Sequence, residues 1–316
     1  MNKIILSIHG LCKQFGDKRV LHDVDLQIVQ GQFVSLVGPS GCGKTTLFKC
    51  ILGTDEPTSG TVYVDGKEVH GPNRDVGIVY QKYELYEFLT AEKNVAVGLK
   101  WDKTNIPFRT FQFWKWWEMR RKHLAQARFL LDRFKLHDAI HLYASELSGG
   151  MRQRVAIAQA LIMQPKVLLL DEPFGALDEA TREDLQKMLL ELYLENVNAK
   201  KNDVPPPWTV ILVTHELNEA FYVSDRVIAL SRRWYQEDDG TRTTGDQLGA
   251  TKVWDKCTPK FYPDSPRDFD QFYEAKMNMR RVAFEDGQPI SERNENVSFW
   301  SDLEQGVGTG VVMLRS

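Results

Sequence analysis

The stretch GPSGCGKTT, Gly38 to Thr46, has the spacing GxxxxGK[ST]. That spacing suits phosphate chemistry. Glycines at Gly38, Gly41 and Gly43 let successive backbone N–H groups close around phosphate oxygens. Lys44 sets a positive charge against the β and γ phosphates, and Thr45 offers a hydroxyl to Mg2+. The apolar run QFVSLVG leads into the stretch and TTLFKCILG leads out of it. The expectation is a buried strand, a tight turn and a helix whose N-terminus points at the anion. A second chemical element is VLLLDE, ending in Asp171 and Glu172. A wholly apolar strand delivers both acids to the carboxyl edge of a sheet, where ligands of open α/β folds bind. There Asp171 suits a cation, and Glu172 suits a general base acting on water. A third is LSGGMRQR. Ser148 reads as a helix N-cap with Gly149 and Gly150 behind it, which makes a second helix N-terminus open to an anion.

These residues need elements to hold them. KIILSIHGL, VLHDVDLQI and QFVSLVG read as strands, and GTVYVDGKEV as a hairpin turning at Asp65-Gly66. Residues 111–135 read as a helix. SGGMRQRVAIAQALIMQ reads as another, closed by Pro165, and EATREDLQKMLLELYLENV as an amphipathic third. NAKKNDVPPPW, with three prolines, reads as a loop. TVILVTHE and DRVIALS complete the apolar strands. Strands alternating with helices imply a parallel sheet covered on both faces. Beyond about Trp234 the chain turns polar and glycine-containing, and few periodic apolar runs remain. An irregular extension is expected there, with short helices around residues 267–281.

Composition narrows the class. The net charge of −3 over 316 residues is not that of a polycation, so a nucleic-acid partner is not expected and any basic patch is local. Cys12, Cys42, Cys50 and Cys257 are scattered without metal-ligand spacing and read as reduced thiols. The N-terminus lacks a signal-peptide pattern, and no apolar run is long enough to span a bilayer. Work at a membrane would need another chain to supply the span.

Taken in order, the motifs of residues 4–233 resemble those of an ATP-binding cassette (ABC) ATPase, with LSGGMRQR as the family signature. The resemblance implies an α/β P-loop fold with a mostly parallel central sheet, an antiparallel β subdomain and an α-helical subdomain at about 85–160. The ATPase domain would be 1–234, and 235–316 an extension. ATP would lie on Phe15, Gly38, Ser40, Gly41, Cys42, Gly43, Lys44, Thr45 and Thr46. Phe15 falls where an aromatic stacks on adenine, although a core aromatic closing a strand is the other reading. A head-to-tail dimer, with a second copy or a homologous cassette, would bring Ser148, Gly149 and Gly150 against the γ-phosphate held by the other chain. Asp178 in GALDEATR resembles the aspartate that crosses this interface, and it also suits a helix cap. Gln81 in VGIVYQ resembles the glutamine that senses Mg2+ and the attacking water. His215 in LVTHE resembles the histidine on the γ-phosphate. Catalysis would rest on Glu172, His215, Gln81 and Lys44, and Mg2+ on Thr45, Gln81 and Asp171.

HGPNRDVGIVYQ and DEPFGALDEATRE resemble the nitrate, sulfonate and taurine importers. This implies a subunit powering solute import through separate transmembrane permease subunits, with a periplasmic or extracellular solute-binding protein, peripheral on the cytoplasmic face of the inner membrane. An ATP-driven module of a non-import membrane complex, extracting lipid or signalling, is the alternative. Two segments run longer than in a typical importer cassette, near 101–118 and at the proline loop. The first overlaps the aromatic, basic block FRTFQFWKWWEMRRK. On a helical wheel Phe113, Trp117, Leu124, Ala127, Leu131 and Phe134 form a core stripe, with Trp114 and Trp116 on either side and Lys115 and Lys122 opposite. The flanking tryptophans suit docking to a permease or to the bilayer edge beside it. Packing against the extension is the competing reading.

Overall fold

The computed structural model describes residues 3–103, 113–238, 241–265, 269–285, 288–289, 297 and 299. Five short apolar strands form its centre: β3 (Phe33–Val37), β6 (Val76–Val79), β7 (Val167–Asp171), β8 (Val210–Val213) and β9 (Arg226–Ser231). They pair in parallel in the order β9-β3-β8-β7-β6. Successive side chains of a strand point to opposite faces, so a strand buried on both sides feeds two cores. Leu168, Leu170, Val210 and Leu212 join one core, whereas Val167, Leu169, Ile211 and Val213 join the other.

The second core is closed by helix α1 (Lys44–Leu52) and by an antiparallel sheet of β1 (Ile4–Phe15), β2 (Lys18–Val29), β4 (Ser59–Val64) and β5 (Lys67–Glu68), in the order β2-β1-β4-β5. Asp65 at φ 50° and Gly66 at φ 75° make the expected β4–β5 turn. The first core lies under helices. These include α2 (Ala91–Lys103), α3 (Phe113–Arg133), α4 (Gly149–Leu161), α5 (Glu179–Lys201) and α6 (Leu217–Val223). Helix α2 is an addition to the sequence reading. It buries Ala91, Val95, Ala96 and Leu99 on one side.

Three expectations change. Helix α5 runs to Lys201, so NAKK is helical rather than looped. No breaker precedes Pro205, and Lys200 and Lys201 in the last turn suit the negative end of the helix dipole. The stripe on α3 is core only in its C-terminal part. Ala127, Leu131 and Phe134 are buried and Leu124 packs against them, but Trp117 is 51% exposed. The side of α3 that faces α2 carries Trp116, Met119, His123 and Leu124, which turns Trp117 outward. The Phe113 side chain and the residues of the aromatic block before it lie outside the described residues.

The third change concerns the extension, whose described residues form strands as well as the expected helix near 267–281. Strand β12 (Thr251–Cys257) adds antiparallel to the outer side of β9. Strands β10 (Trp234–Asp238) and β11 (Thr241–Thr244) form a hairpin, joined in parallel by β13 (Gln288–Pro289). Helix α7 (Gly245–Leu248) follows the hairpin, and α8 (Tyr273–Phe284) packs on β9 and β12. Polar strands such as WYQED and TRTT carry no apolar alternation to give them away.

One buried ion pair fixes the new edge strand. Arg226 is 0% exposed. Its Nε and Nη2 donate to Asp255 Oδ1 at 2.7 Å and Oδ2 at 2.8 Å, and its Nη1 donates to the Gln27 carbonyl at 2.7 Å. Lys252 Nζ reaches Asp255 at 2.9 Å. Burial alone pushes the Asp255 carboxyl up, but Arg226 and Lys252 outweigh it and hold it below the usual range. The stability this pair adds is therefore present above the ordinary carboxylate range and fades as pH falls through it. Removing one partner strands the other charge in the interior. Asp255→Ala should cost about 3–5 kcal/mol in urea denaturation. A loss under about 1 kcal/mol would show that the pair does not hold β12 in place.

Candidate functional site

The parallel register places the chemistry. Leu36 pairs with Val213, and Val213 pairs with Asp171. The segments that follow β3, β7 and β8 therefore emerge side by side at one edge of the sheet: the P-loop, Asp171-Glu172 and Thr214-His215. The P-loop wraps into α1 through Gly43, whose φ of 108° no ordinary L side chain adopts comfortably. Gly38, at φ 152°, lies so close to the Leu230 carbonyl that a Cβ would stand 2.1 Å from it. Lys44 is buried, and its Nζ donates to the carbonyls of Gly38 at 2.8 Å and Pro39 at 3.1 Å. This folds the ammonium back over the loop. Burial pushes the Cys42 thiol above its ordinary value in spite of Lys44 nearby, so this cysteine packs rather than reacts.

Glu172 is held from both sides. Gln81 Nε2 donates to its Oε2 at 2.9 Å, and His215 Nε2 lies 2.5 Å from its Oε1. Its backbone sits at φ 48°, a left-handed conformation costing about 1–2 kcal/mol for a side-chain-bearing residue. Strain of this kind collects where geometry is functional. Burial, and then the Glu172 charge, push the neighbouring Asp171 carboxyl above the usual range, while Lys44 and His215 pull it back.

A cleft of about 380 Å³ gathers Phe15, Ser40, Gly41, Gly43, Lys44, Thr45, Thr46, Glu172 and His215. Phe15 is 49% exposed with Lys13 over its ring, so it stands at the mouth and is not a core aromatic. Gln81 joins through Glu172. Gly38, Cys42 and Asp171 lie beside or beneath the loop. Ser148, Gly149, Gly150 and Asp178 do not line this cleft. They sit together elsewhere. Ser148 caps α4, its side chain accepting from the Met151 N–H at 3.3 Å. Asp178 caps α5, accepting from the Thr181 N–H at 3.0 Å and from its hydroxyl at 2.7 Å, and these bonds hold its carboxyl below the usual range. The two caps touch through Gly150, where a Cβ would stand 2.0 Å from Thr181 Cγ2.

Alignment with known proteins decides the family. Residues 21–175 match the family described as ABC transporter. The aliphatic sulfonates import ATP-binding protein SsuB of Bacillus cereus is 39% identical over 221 residues, covering 70% of this chain and 77% of that protein. The chain belongs to the ABC transporter ATP-binding family. The taurine import ATP-binding protein TauB of Jannaschia sp. is 39% identical over 233 residues, covering 72% and 78%. A dimeric structure of the ATP-binding cassette MJ0796, in a post-hydrolysis state bound to ADP and Pi, is similar at a TM-score of 0.59. It is 28% identical, covering 81% of this chain and 100% of that one.

This ABC cassette holds further residues that its motifs did not announce. Lys18, Val20 and Arg232 also line the cleft. Behind His215, Thr214 Oγ1 donates to Glu219 Oε2 at 2.6 Å, and Glu219 Oε1 lies 3.4 Å from Arg182 Nε on α5. Burial raises the Glu219 carboxyl. The cap of α5 and the segment carrying His215 are thus joined through one buried acid. Its sequence signal was an acid on the apolar side of LNEAFYV.

The contact between the caps is testable. Gly150→Ala should destabilise the cassette by about 1–3 kcal/mol through overpacking, despite the higher helix propensity of alanine. Thr181→Ser removes Cγ2 but keeps the hydroxyl, and should restore most of the loss in thermal denaturation. A Gly150→Ala loss unchanged by Thr181→Ser would mean the two residues do not meet.

Proposed function

We propose that this chain is the ATP-hydrolysing subunit of an importer of sulfonates, taurine or related small anions, acting through separate permease subunits. The observation that carries the hydrolytic reading is Glu172, fixed between Gln81 and His215 at the edge of the P-loop cleft. The import reading follows the named relatives. Residues 1–234 form the ATPase domain, with its helical subdomain at about 85–160, and 235–316 extend it.

In this reading the P-loop and Lys44 hold the β and γ phosphates of ATP, and Phe15 stacks on the adenine. A head-to-tail dimer supplies Ser148, Gly149, Gly150 and Asp178 across the interface, which accounts for their place outside their own cleft. Glu172 takes a proton from water while Gln81 orients it. His215 and Lys44 steady the charge on the transferring phosphoryl group. The donor set suits Mg2+, a hard cation taking oxygen ligands. The Thr45 hydroxyl and Asp171 carboxylate would hold it, with Gln81 beside them, and a cation there would relieve the crowding of Asp171 by Glu172. Bound Mg2+ would neutralise charge on the phosphates. No helix among the described residues is long and apolar enough to cross a membrane. The subunit would sit on the cytoplasmic face of the inner membrane, with a solute-binding protein delivering cargo outside.

Trp114 is 85% exposed and Trp117 51%, on a helix that also carries Arg120, Arg121 and Lys122. We place the permease contact there. Replacing both tryptophans with alanine should reduce permease recovery in a pull-down by roughly tenfold, as for interface anchors, at unchanged thermal stability. Full recovery would remove this surface from the assembly.

Glu172→Gln should still bind ATP, and its turnover should drop roughly 100-fold or more. Steady-state hydrolysis at the wild-type rate would remove Glu172 from the role of base.

A further inference from the structure

A second cleft, of about 490 Å³, opens on the other side of the P-loop. Pro39, Ser40, Gly41 and Cys42 form one wall. The β10–β11 hairpin forms the other and contributes Tyr235 and Arg242, with Arg233 just before it. Arg232 stands between and lines both clefts.

Three arginines therefore line one space. Among the described residues, what holds them is not a carboxylate. Arg232 Nη2 donates to the Arg19 carbonyl at 2.9 Å, and its buried Nε has no hydrogen-bond partner among the described residues. Arg233 Nη1 donates to the Glu285 carbonyl at 3.1 Å. Arg242 lies 3.8 Å above the centroid of the Tyr235 ring. Carbonyls and an aromatic face orient a guanidinium and leave its charge unneutralised. Asp246 also lines the cleft, so the lining residues carry three positive charges against one negative.

Fixed, unpaired guanidiniums fit an acceptor that offers several oxygens at once, as tetrahedral oxyanions do. We propose that the cleft between the P-loop and the β10–β11 hairpin binds a tetrahedral oxyanion group, phosphate or a sulfate or sulfonate, on Arg232, Arg233 and Arg242. The site shares Ser40, Gly41 and Arg232 with the nucleotide cleft, and the extension builds its far wall, since Tyr235 and Arg242 lie beyond residue 234. Phosphate released by hydrolysis and a sulfonate solute share the recognised chemistry.

The test uses the full chain at low ionic strength, with ADP saturating the P-loop. Calorimetric titration with phosphate, sulfate and methanesulfonate should show one anion bound per chain. Phosphate binding tighter than methanesulfonate names the product of hydrolysis as the source, and the reverse order names a solute, with sulfate as the reference for a plain oxyanion. Arg233→Gln with Arg242→Gln should weaken that binding by roughly tenfold or more, with ADP affinity and thermal stability unchanged. Equal anion affinity in the double variant would place the anion on the P-loop and overturn the proposal, as would no anion binding by the wild-type chain. ADP affinity, measured in the same titrations, tests the nucleotide reading separately.

Discussion

The hydrogen-bond register of three parallel strands sets the rest. β3, β8 and β7 pair so that Leu36, Val213 and Asp171 lie in one row. The segments that follow them carry the glycine-rich loop with Lys44, the stretch of Thr214 and His215, and the acids. A slip of one residue would turn each strand's side chains to the opposite core. The apolar side chains on both faces of β3, β7 and β8 forbid that slip, because each face fills a separate packed cluster. Packing and chemistry are thus one constraint. The same burial that excludes water from the strands delivers polar groups to the single edge where the sheet ends.

At that edge the chain holds Glu172 in a backbone conformation it would not choose, and the neighbours make the choice. Its N–H donates to the Val213 carbonyl at 3.0 Å, and both carboxylate oxygens are engaged by Gln81 and His215. Three strands therefore meet in one side chain, since Gln81 follows β6, Glu172 follows β7 and His215 follows β8. The link from Arg182 through Glu219 to Thr214 ties the α5 cap to the same edge. In the proposed dimer Asp178 on that cap would face the other chain, and the Arg182–Glu219 and Glu219–Thr214 contacts lie between that cap and the segment carrying His215.

The motif residues were legible because their chemistry demands fixed spacing. A phosphate cradle needs glycines at 38, 41 and 43, and a buried strand ending in acids has little else to be. The parallel sheet followed from continuous apolar runs in β3, β7, β8 and β9. What was not legible has physical reasons. β10 and β11 are polar hairpin strands without apolar alternation, so no periodicity marks them. β12 reads TKVWDKC, with a lysine and an aspartate that become buried only because Arg226 waits on β9. Trp117 shares its helical stripe with core residues, yet the direction from which α2 approaches decides that it faces outward. Glu219 carries no motif signal, because its partners Thr214 and Arg182 are set by packing rather than by spacing.

The extension does more than follow the cassette. Without β12, β9 would end the sheet with unpaired backbone groups and an exposed edge, the kind of edge that natural sheets cover or blunt. The cover reaches further, since the Ala250 N–H donates to the Val20 carbonyl and the His22 N–H to the Ala250 carbonyl, both at 2.9 Å. Trp234 stacks on His22 and donates to the Gly249 carbonyl at 3.1 Å. The segment between β11 and β12 is therefore stitched to the antiparallel sheet, just where Val20 enters the nucleotide cleft. Because β9 ends at Ser231 beside the P-loop, whatever follows it must pass over that loop. The chain places three consecutive groups there: Arg232 between the two clefts, Arg233 on the second cleft, and Trp234 as the buried anchor that aims the hairpin back. The position of Arg242 opposite them follows from the hairpin pairing of Tyr235 with Thr244. A charged wall beside the phosphate cradle is thus a geometric consequence of how the sheet edge is covered.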